Sequence, residues 1–179
     1  MASEDEFRGE PIDSGELEVF SGRYFDAWNS HAPAQVAALA TEDVVWNSPA
    51  FREPGRGRQA VIDLVATTVV AFPDYVFSRP SAPAIAEDGV TAYVPWHMTG
   101  TNTGSFEPPG YAPTGKAIDL PGIDVWCFRD GLIWRYQAVY DYAVIGRQLG
   151  LALPRGGRLE RAAVRAQRLL VGVRHRLHS

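Results

Sequence analysis

Helical periodicity over residues 14–72, strand-like runs over residues 75–140 and short turn signals between those runs predict an α+β fold. In this reading three helices pack on one face of a curved antiparallel sheet, and a further helix is added at the C-terminus. Asp13, with Glu16 three positions on, has the form of a capping box, and Leu17, Phe20, Tyr24 and Trp28 follow at helical spacing, predicting a helix over about 14–29. Pro33 suits the first turn of a second, short helix carrying Val36 and Leu39. Val44-Val45-Trp46 reads as a short strand ending at Pro49, and Gly55 and Gly57 mark a loop. Val61, Leu64, Val65, Thr68, Val69 and Phe72 form the apolar side of a third helix, closed by Pro73.

Strands are predicted at 75–77, 84–86, 91–101, 118–128 and 132–140. Glu87-Asp88-Gly89 and Arg129-Asp130-Gly131 supply hairpin turns, whereas Gly104–Gly115, with three prolines, is a long connection. A short helix over 144–149 closes the domain. Three regions result: an acidic, disordered tail over 1–13, a folded domain over 14–152, and a basic amphipathic helix over 153–179.

Charge separates the ends. Residues 1–16 hold six acids against Arg8, about −5, and residues 155–179 hold seven arginines against Glu160, about +6. In the C-terminal segment Leu159, Ala162, Ala166, Leu169, Leu170, Val173 and Leu177 trace an apolar stripe, which is expected to dock on this domain or on a second copy. For the whole chain the net charge is −4 and 46% of residues are apolar, the composition of a globular protein with no basic field for nucleic acid. One cysteine, Cys127, excludes an intramolecular disulfide, and with no signal-type N-terminus the expected compartment is the cytoplasm. No stretch approaches the roughly 20 apolar residues of a membrane span. His31, His97, His175 and His178 share no ligand spacing with one another or with Cys127, so no metal site is expected.

Asp124 is the residue that points to chemistry. It interrupts the apolar run Ile123-Asp124-Val125-Trp126-Cys127-Phe128, and strand alternation places it on one face with Trp126 and Phe128. An ionised carboxylate there costs several kcal/mol, so the group is expected to raise its pKa or to find hydrogen-bond donors, and either suits proton transfer. The competing reading is an Asp at a strand start, capping a Pro121-Gly122 turn. Of Trp96 and His97, adjacent on one strand, alternation lets only one face inward; Trp96 is expected inside and His97 on the outer face.

The order of elements, together with Tyr24-Phe25-Asp26-Ala27-Trp28-Asn29, Glu42-Asp43-Val44-Val45-Trp46, Gly55-Arg56-Gly57, Gly100-Thr101-Asn102-Thr103-Gly104, Pro113-Thr114-Gly115-Lys116 and Arg129-Asp130-Gly131-Leu132-Ile133, resembles the SnoaL-like polyketide cyclase branch of the NTF2-like superfamily over about residues 14–152. The resemblance implies a cone of three helices on a curved sheet around an apolar cavity. It implies that Asp124 falls at the acid that gives and takes the proton in these cyclases, and at the protonated oxyanion-hole Asp of ketosteroid isomerases, with Tyr24 near the isomerases' oxyanion tyrosine. The isomerases' base would precede Pro49, where this chain has Ser48. Similarity to limonene-type epoxide hydrolases implies water-positioning roles for Asn47 and Asp141, but the arginine and acid of that branch are replaced by Trp96-His97-Met98. The cyclases' Gly-Thr-His is here Gly100-Thr101-Asn102, whose amide can donate a hydrogen bond but cannot shuttle a proton.

The resulting expectation is an acid/base enzyme needing no cofactor, a cyclase or isomerase acting through an enolate on a hydrophobic polyketide-like or polycyclic carbonyl compound. Asp124, Tyr24, Asn47, Asn102 and Asp141 are its candidate catalytic residues, and Trp28, Trp46, Trp96, Trp126, Phe128 and Tyr140 its candidate pocket walls. A hydratase or epoxide-opening enzyme using Asp141 and Asn47, and a non-catalytic binding or assembly module, are the alternatives. The resemblance also implies a homodimer through the outer sheet face.

Overall fold

A computed structural model describes residues 9–51, 53–107, 110–152 and 156–176. Helix α1 (Ser14–Asn29) starts at the capping box the sequence encodes: Asp13 Oδ1 accepts from the backbone of Gly15 at 2.7 Å and Glu16 at 2.8 Å, and Glu16 reaches back to Asp13 N at 3.3 Å. Its spaced apolar side chains, Leu17, Phe20, Tyr24 and Trp28, are all buried. Helix α2 (Pro33–Ala37) begins on its proline, strand β1 spans Ala40–Asn47, and the two-residue strand β2 (Gly55–Arg56) leads into α3 (Gly57–Ala71), where Val61 and Val65 are fully buried.

Strands β3 (Val76–Ser78), β4 (Ala84–Ile85), β5 (Thr91–Thr101), β6 (Ala117–Arg129) and β7 (Leu132–Val139) follow, then helices α4 (Tyr142–Leu149) and α5 (Arg158–Arg176). The sheet order is β2-β1-β7-β6-β5-β3, with β4 beside β5. Among the described residues all pairings are antiparallel except β1 with β7, which run parallel, so the sheet is antiparallel with one exception that the sequence did not announce. Parallel neighbours need a long crossover, and α3 with β3 to β6 supplies it between β1 and β7.

Strand β6 runs unbroken through Pro121-Gly122, which removes the reading of Asp124 as a turn cap. Its inward residues Ile118, Leu120, Asp124, Trp126 and Phe128 are buried, and those between them are partly or wholly exposed. Phe20 of α1 packs edge-on against Trp126 and Phe128, with centroids 5.7 and 5.0 Å away. Burial of each such ring stabilises by roughly 1.5–3 kcal/mol, which fixes α1 across the inner face. Trp96 is inside at 4% exposure, and His97 is on the outer face with its Nε2 at 2.6 Å from Asp119 Oδ1.

Two segments differ from expectation. Gly55–Arg56, read as loop, pairs with β1 as an edge strand. Of the acidic tail expected to be disordered, residues 1–8 lie outside the described residues, but Glu10 is tied down: its N–H donates to Phe128 O at 2.8 Å and its carboxylate accepts from Asp130 N at 2.7 Å. On helix α5, Leu159, Arg161, Arg165 and Arg168 are exposed. No helix among the described residues is long and apolar enough to cross a membrane.

Candidate active site

The inner face of the sheet, with α1, α3 and α4, lines a half-open cavity of about 80 Å³. Its walls include Trp28, Phe72, Phe77, Trp96, Phe106 and Ile145, and its oxygen atoms come from Tyr24, Tyr136, Ser48 and Tyr140, with Glu107 and Thr67 and Thr68 of α3 also on the lining. No lysine, arginine or histidine lines it among the described residues.

Asp124 stands behind this wall at 1% exposure. Tyr24 Oη donates to its Oδ2 at 2.8 Å, Tyr136 Oη to Oδ1 at 2.7 Å, and the Trp96 indole Nε1 to Oδ1 at 2.6 Å. Three elements therefore aim one donor each at a single acid. Tyr24 sits on α1, Trp96 on β5, and Tyr136 on β7, where it stacks on Trp46 of β1 with centroids 3.6 Å apart and planes at 11°. Gly122 makes room for the third donor. Trp96 pairs directly with Gly122 across β5 and β6, and a β-carbon at 122 would lie 2.2 Å from its ring.

Burial raises the Asp124 pKa to about 7, because a charge is poorly solvated there. The hydrogen bonds from Tyr136, Tyr24 and Trp96 favour the carboxylate and oppose that rise. Burial and the facing carboxylate push the Tyr24 and Tyr136 phenols well above the ordinary tyrosine range, so both remain proton donors. Near neutral pH the acid is thus divided between its protonated and ionised forms while the phenols around it stay neutral.

The remaining candidates are placed as follows. Trp28, Trp96 and Tyr140 line the cavity with Tyr24. Trp46 and Trp126 are 0% exposed but lie outside the lining, packed behind Tyr136 and Tyr24 as core. Phe128 is also core against Phe20, and it faces a separate open groove of about 690 Å³ near the start of α1. Asn47 belongs to the opposite face of β1 from the buried Trp46 and Ser48, and it is Ser48 that reaches the cavity. Asn102 is buried and used for structure: its amide donates to Ala71 O at 3.1 Å and Gly104 O at 2.9 Å and accepts from Thr114 N at 2.9 Å and Thr114 Oγ1 at 3.1 Å. Asp141 caps α4 through Ala143 N at 3.0 Å and pairs with Arg147 at 2.8 Å, away from the lining. The residue missed by sequence reasoning is Tyr136, although alternation from Tyr140 through Ala138 puts it on the same face.

A family model for the SnoaL-like domain matches residues 22–136. No curated protein matches the chain. Among solved structures, TsrD from Streptomyces laurentii is 17% identical, with a TM-score of 0.67 over 79% of this chain and 99% of its own. AclR, a candidate hydroxylase from Streptomyces galilaeus, is 21% identical, with a TM-score of 0.67 over 93% of this chain and 99% of its own. A candidate SnoaL-like polyketide cyclase from Jannaschia sp. CCS1 is 20% identical, with a TM-score of 0.67 over 81% of this chain and 97% of its own. At these identities the likeness establishes the fold, which is the NTF2-like cone.

Proposed function

The chain belongs to the SnoaL-like domain family, and from that premise we propose that it is a cyclase or isomerase that moves a proton on a hydrophobic carbonyl compound with its own side chains, Asp124 acting through Tyr24 and Tyr136. The observation that carries this reading is the convergence of two cavity-lining phenols on separate oxygens of one buried acid.

In our reading the direction starts from the donors: Oδ1 already accepts two, Trp96 and Tyr136, whereas Oδ2 accepts one, which supports placing the acid's proton on Oδ2. From there it donates to the Tyr24 oxygen, and the Tyr24 proton turns into the cavity toward a ligand carbonyl. In one concerted shift Tyr24 gives its proton to the carbonyl oxygen and recovers one from Oδ2. Tyr136 gives its proton to Oδ1 and takes one from the substrate. The acid ends protonated, the substrate has exchanged one proton for another, and no charge is left in a site whose lining, among the described residues, holds no cation to balance it. Developing oxyanion charge meets a preplaced donor, the usual source of most of the rate gain.

The reading narrows the substrate class. A cavity of about 80 Å³ is below the 300–1,000 Å³ typical of drug-sized ligands, which favours a compact, flat carbonyl compound over a multi-ring polyketide. Water activation by Asp141 and Asn47 finds no support from geometry, since neither lines the cavity.

The test needs no knowledge of the natural substrate. The protein should accelerate incorporation of solvent deuterium at the α-carbon of cyclopentanone, a small one-ring ketone, followed by NMR, and Asp124→Asn should lower that rate by about 10²- to 10⁴-fold. No acceleration by the wild type, or full activity in Asp124→Asn, contradicts the proposal.

A further inference from the structure

The same cavity holds a second pair of oxygens that the proton relay does not use. Ser48 Oγ lies 3.2 Å from Tyr140 Oη, and both line the cavity, with Ser48 at 5% exposure. Ser48 Oγ also accepts from Ala50 N at 3.3 Å. Two hydroxyls own two protons, and their mutual bond uses one. The other proton is left in a half-buried, aromatic-walled space, free to meet a ligand oxygen.

Position relative to the relay follows from the strands. Asp124, which the Tyr24 and Tyr136 hydroxyls reach, stands directly opposite Ala138 on β7. Tyr140 follows just past the end of β7, and its hydroxyl reaches Ser48, the residue after Asn47, which pairs with Gln137, so this second pair of oxygens lies on the other side of β7 from Asp124. Between the two oxygen groups the floor is the small side chain of Ala138, and the flank is the Trp96 ring, 5.7 Å from that of Tyr140. The space over Ala138 is therefore apolar, with a hydrogen-bonding group on either side. Among the described residues no cation is on the lining while Glu107 is, so a ligand carboxylate or phosphate would find no partner from them.

We propose that Ser48 and Tyr140 form a second oxygen-binding subsite, and that the ligand is a compact, flat, uncharged ketone carrying a hydroxyl or second carbonyl at the end opposite its reacting carbonyl. This rests on the carbonyl reading of the cavity given above and adds to it the chemistry of the ligand's far end. Ser48 and Tyr140 then determine specificity, selecting among ketones by their second oxygen.

Equilibrium binding separates the two levels without requiring turnover. In mildly acidic buffer, affinities are measured for 4-methylacetophenone, its near-isostere 4-hydroxyacetophenone and the anionic 4-carboxyacetophenone. Wild type is expected to prefer the hydroxy ketone over the methyl ketone by about fivefold, the value of one good hydrogen bond, and to bind the carboxylate at least tenfold more weakly than the hydroxy ketone. Tyr140→Phe, which keeps the ring, and Ser48→Ala should erase the hydroxyl preference while still binding both neutral ketones. Equal affinity for the methyl and hydroxy ketones on wild type, or a preference that survives both substitutions, overturns the subsite alone. Tight carboxylate binding overturns the uncharged ligand class. Failure of all three to bind wild type overturns the carbonyl reading and the subsite with it.

Discussion

The indole of Trp96 lies across the backbone of Gly122, and that contact delivers its N–H to Asp124: any β-carbon at 122 would stand 2.2 Å from the ring that must reach Oδ1 at 2.6 Å. Residue 122 is therefore a hole cut for a donor two residues away from the acid it serves.

Gly122→Ala should displace Trp96 and cost about 1–3 kcal/mol of stability in urea unfolding, as overpacking of a core does. Loss of the Trp96 donor should also raise the Asp124 pKa further, because that bond favours the carboxylate. An unchanged unfolding midpoint would show that the ring is free to move elsewhere.

Asp124 should leave a signature in stability against pH. Its folded pKa, about 7, is above the unfolded value, so between about pH 4 and pH 7 the folded state binds more protons than the unfolded one. The contribution is present at low pH and is lost as pH rises through that window, with a slope of up to about 1.4 kcal/mol per pH unit. Asp124→Asn should remove this slope, read as the difference between the two proteins' denaturation curves across pH. Identical pH profiles for the two would contradict the buried, proton-holding acid.

Tyr24→Phe and Tyr136→Phe each remove one arm of the relay. Each should reduce ketone deuterium exchange by about 10²-fold or more, and each should move the Asp124 titration to higher pH by deleting a donor to the carboxylate. A merely structural tyrosine would change stability without moving the pH profile.

Asn102 and Asp141 should behave as structure. Asn102→Ala leaves buried backbone partners unpaired and should cost on the order of 1–3 kcal/mol. Asp141→Ala removes a helix cap worth about 1 kcal/mol. Exchange activity should change by less than about twofold in both, measured at a temperature where each variant is folded.

The pattern of what the sequence disclosed has physical reasons. Helix α1 was legible to its ends because capping box and apolar spacing agree, and β5 because inward and outward residues alternate over 91–99. Burial of Asp124 was legible from its neighbours on one face. Parity along β1 and β7 carried more than was drawn from it: with Trp46 inward, Ser48 must be inward and Asn47 outward, and with Tyr140 inward so is Tyr136. Register was not legible. Nothing in the chain's local pattern says that Trp126 pairs with Tyr136 or that β1 runs parallel to β7, and those pairings decide which aromatic rings become cavity wall and which become the core behind it.

The most direct measurement is a carbon-13 NMR titration of the Asp124 carboxyl, assigned by comparison with Asp124→Asn. The relay requires a midpoint near pH 7, rising further in Tyr136→Phe. A midpoint near the ordinary aspartate value of about 4 would mean the acid is always ionised at neutral pH, with no proton to pass to Tyr24, and would contradict the account.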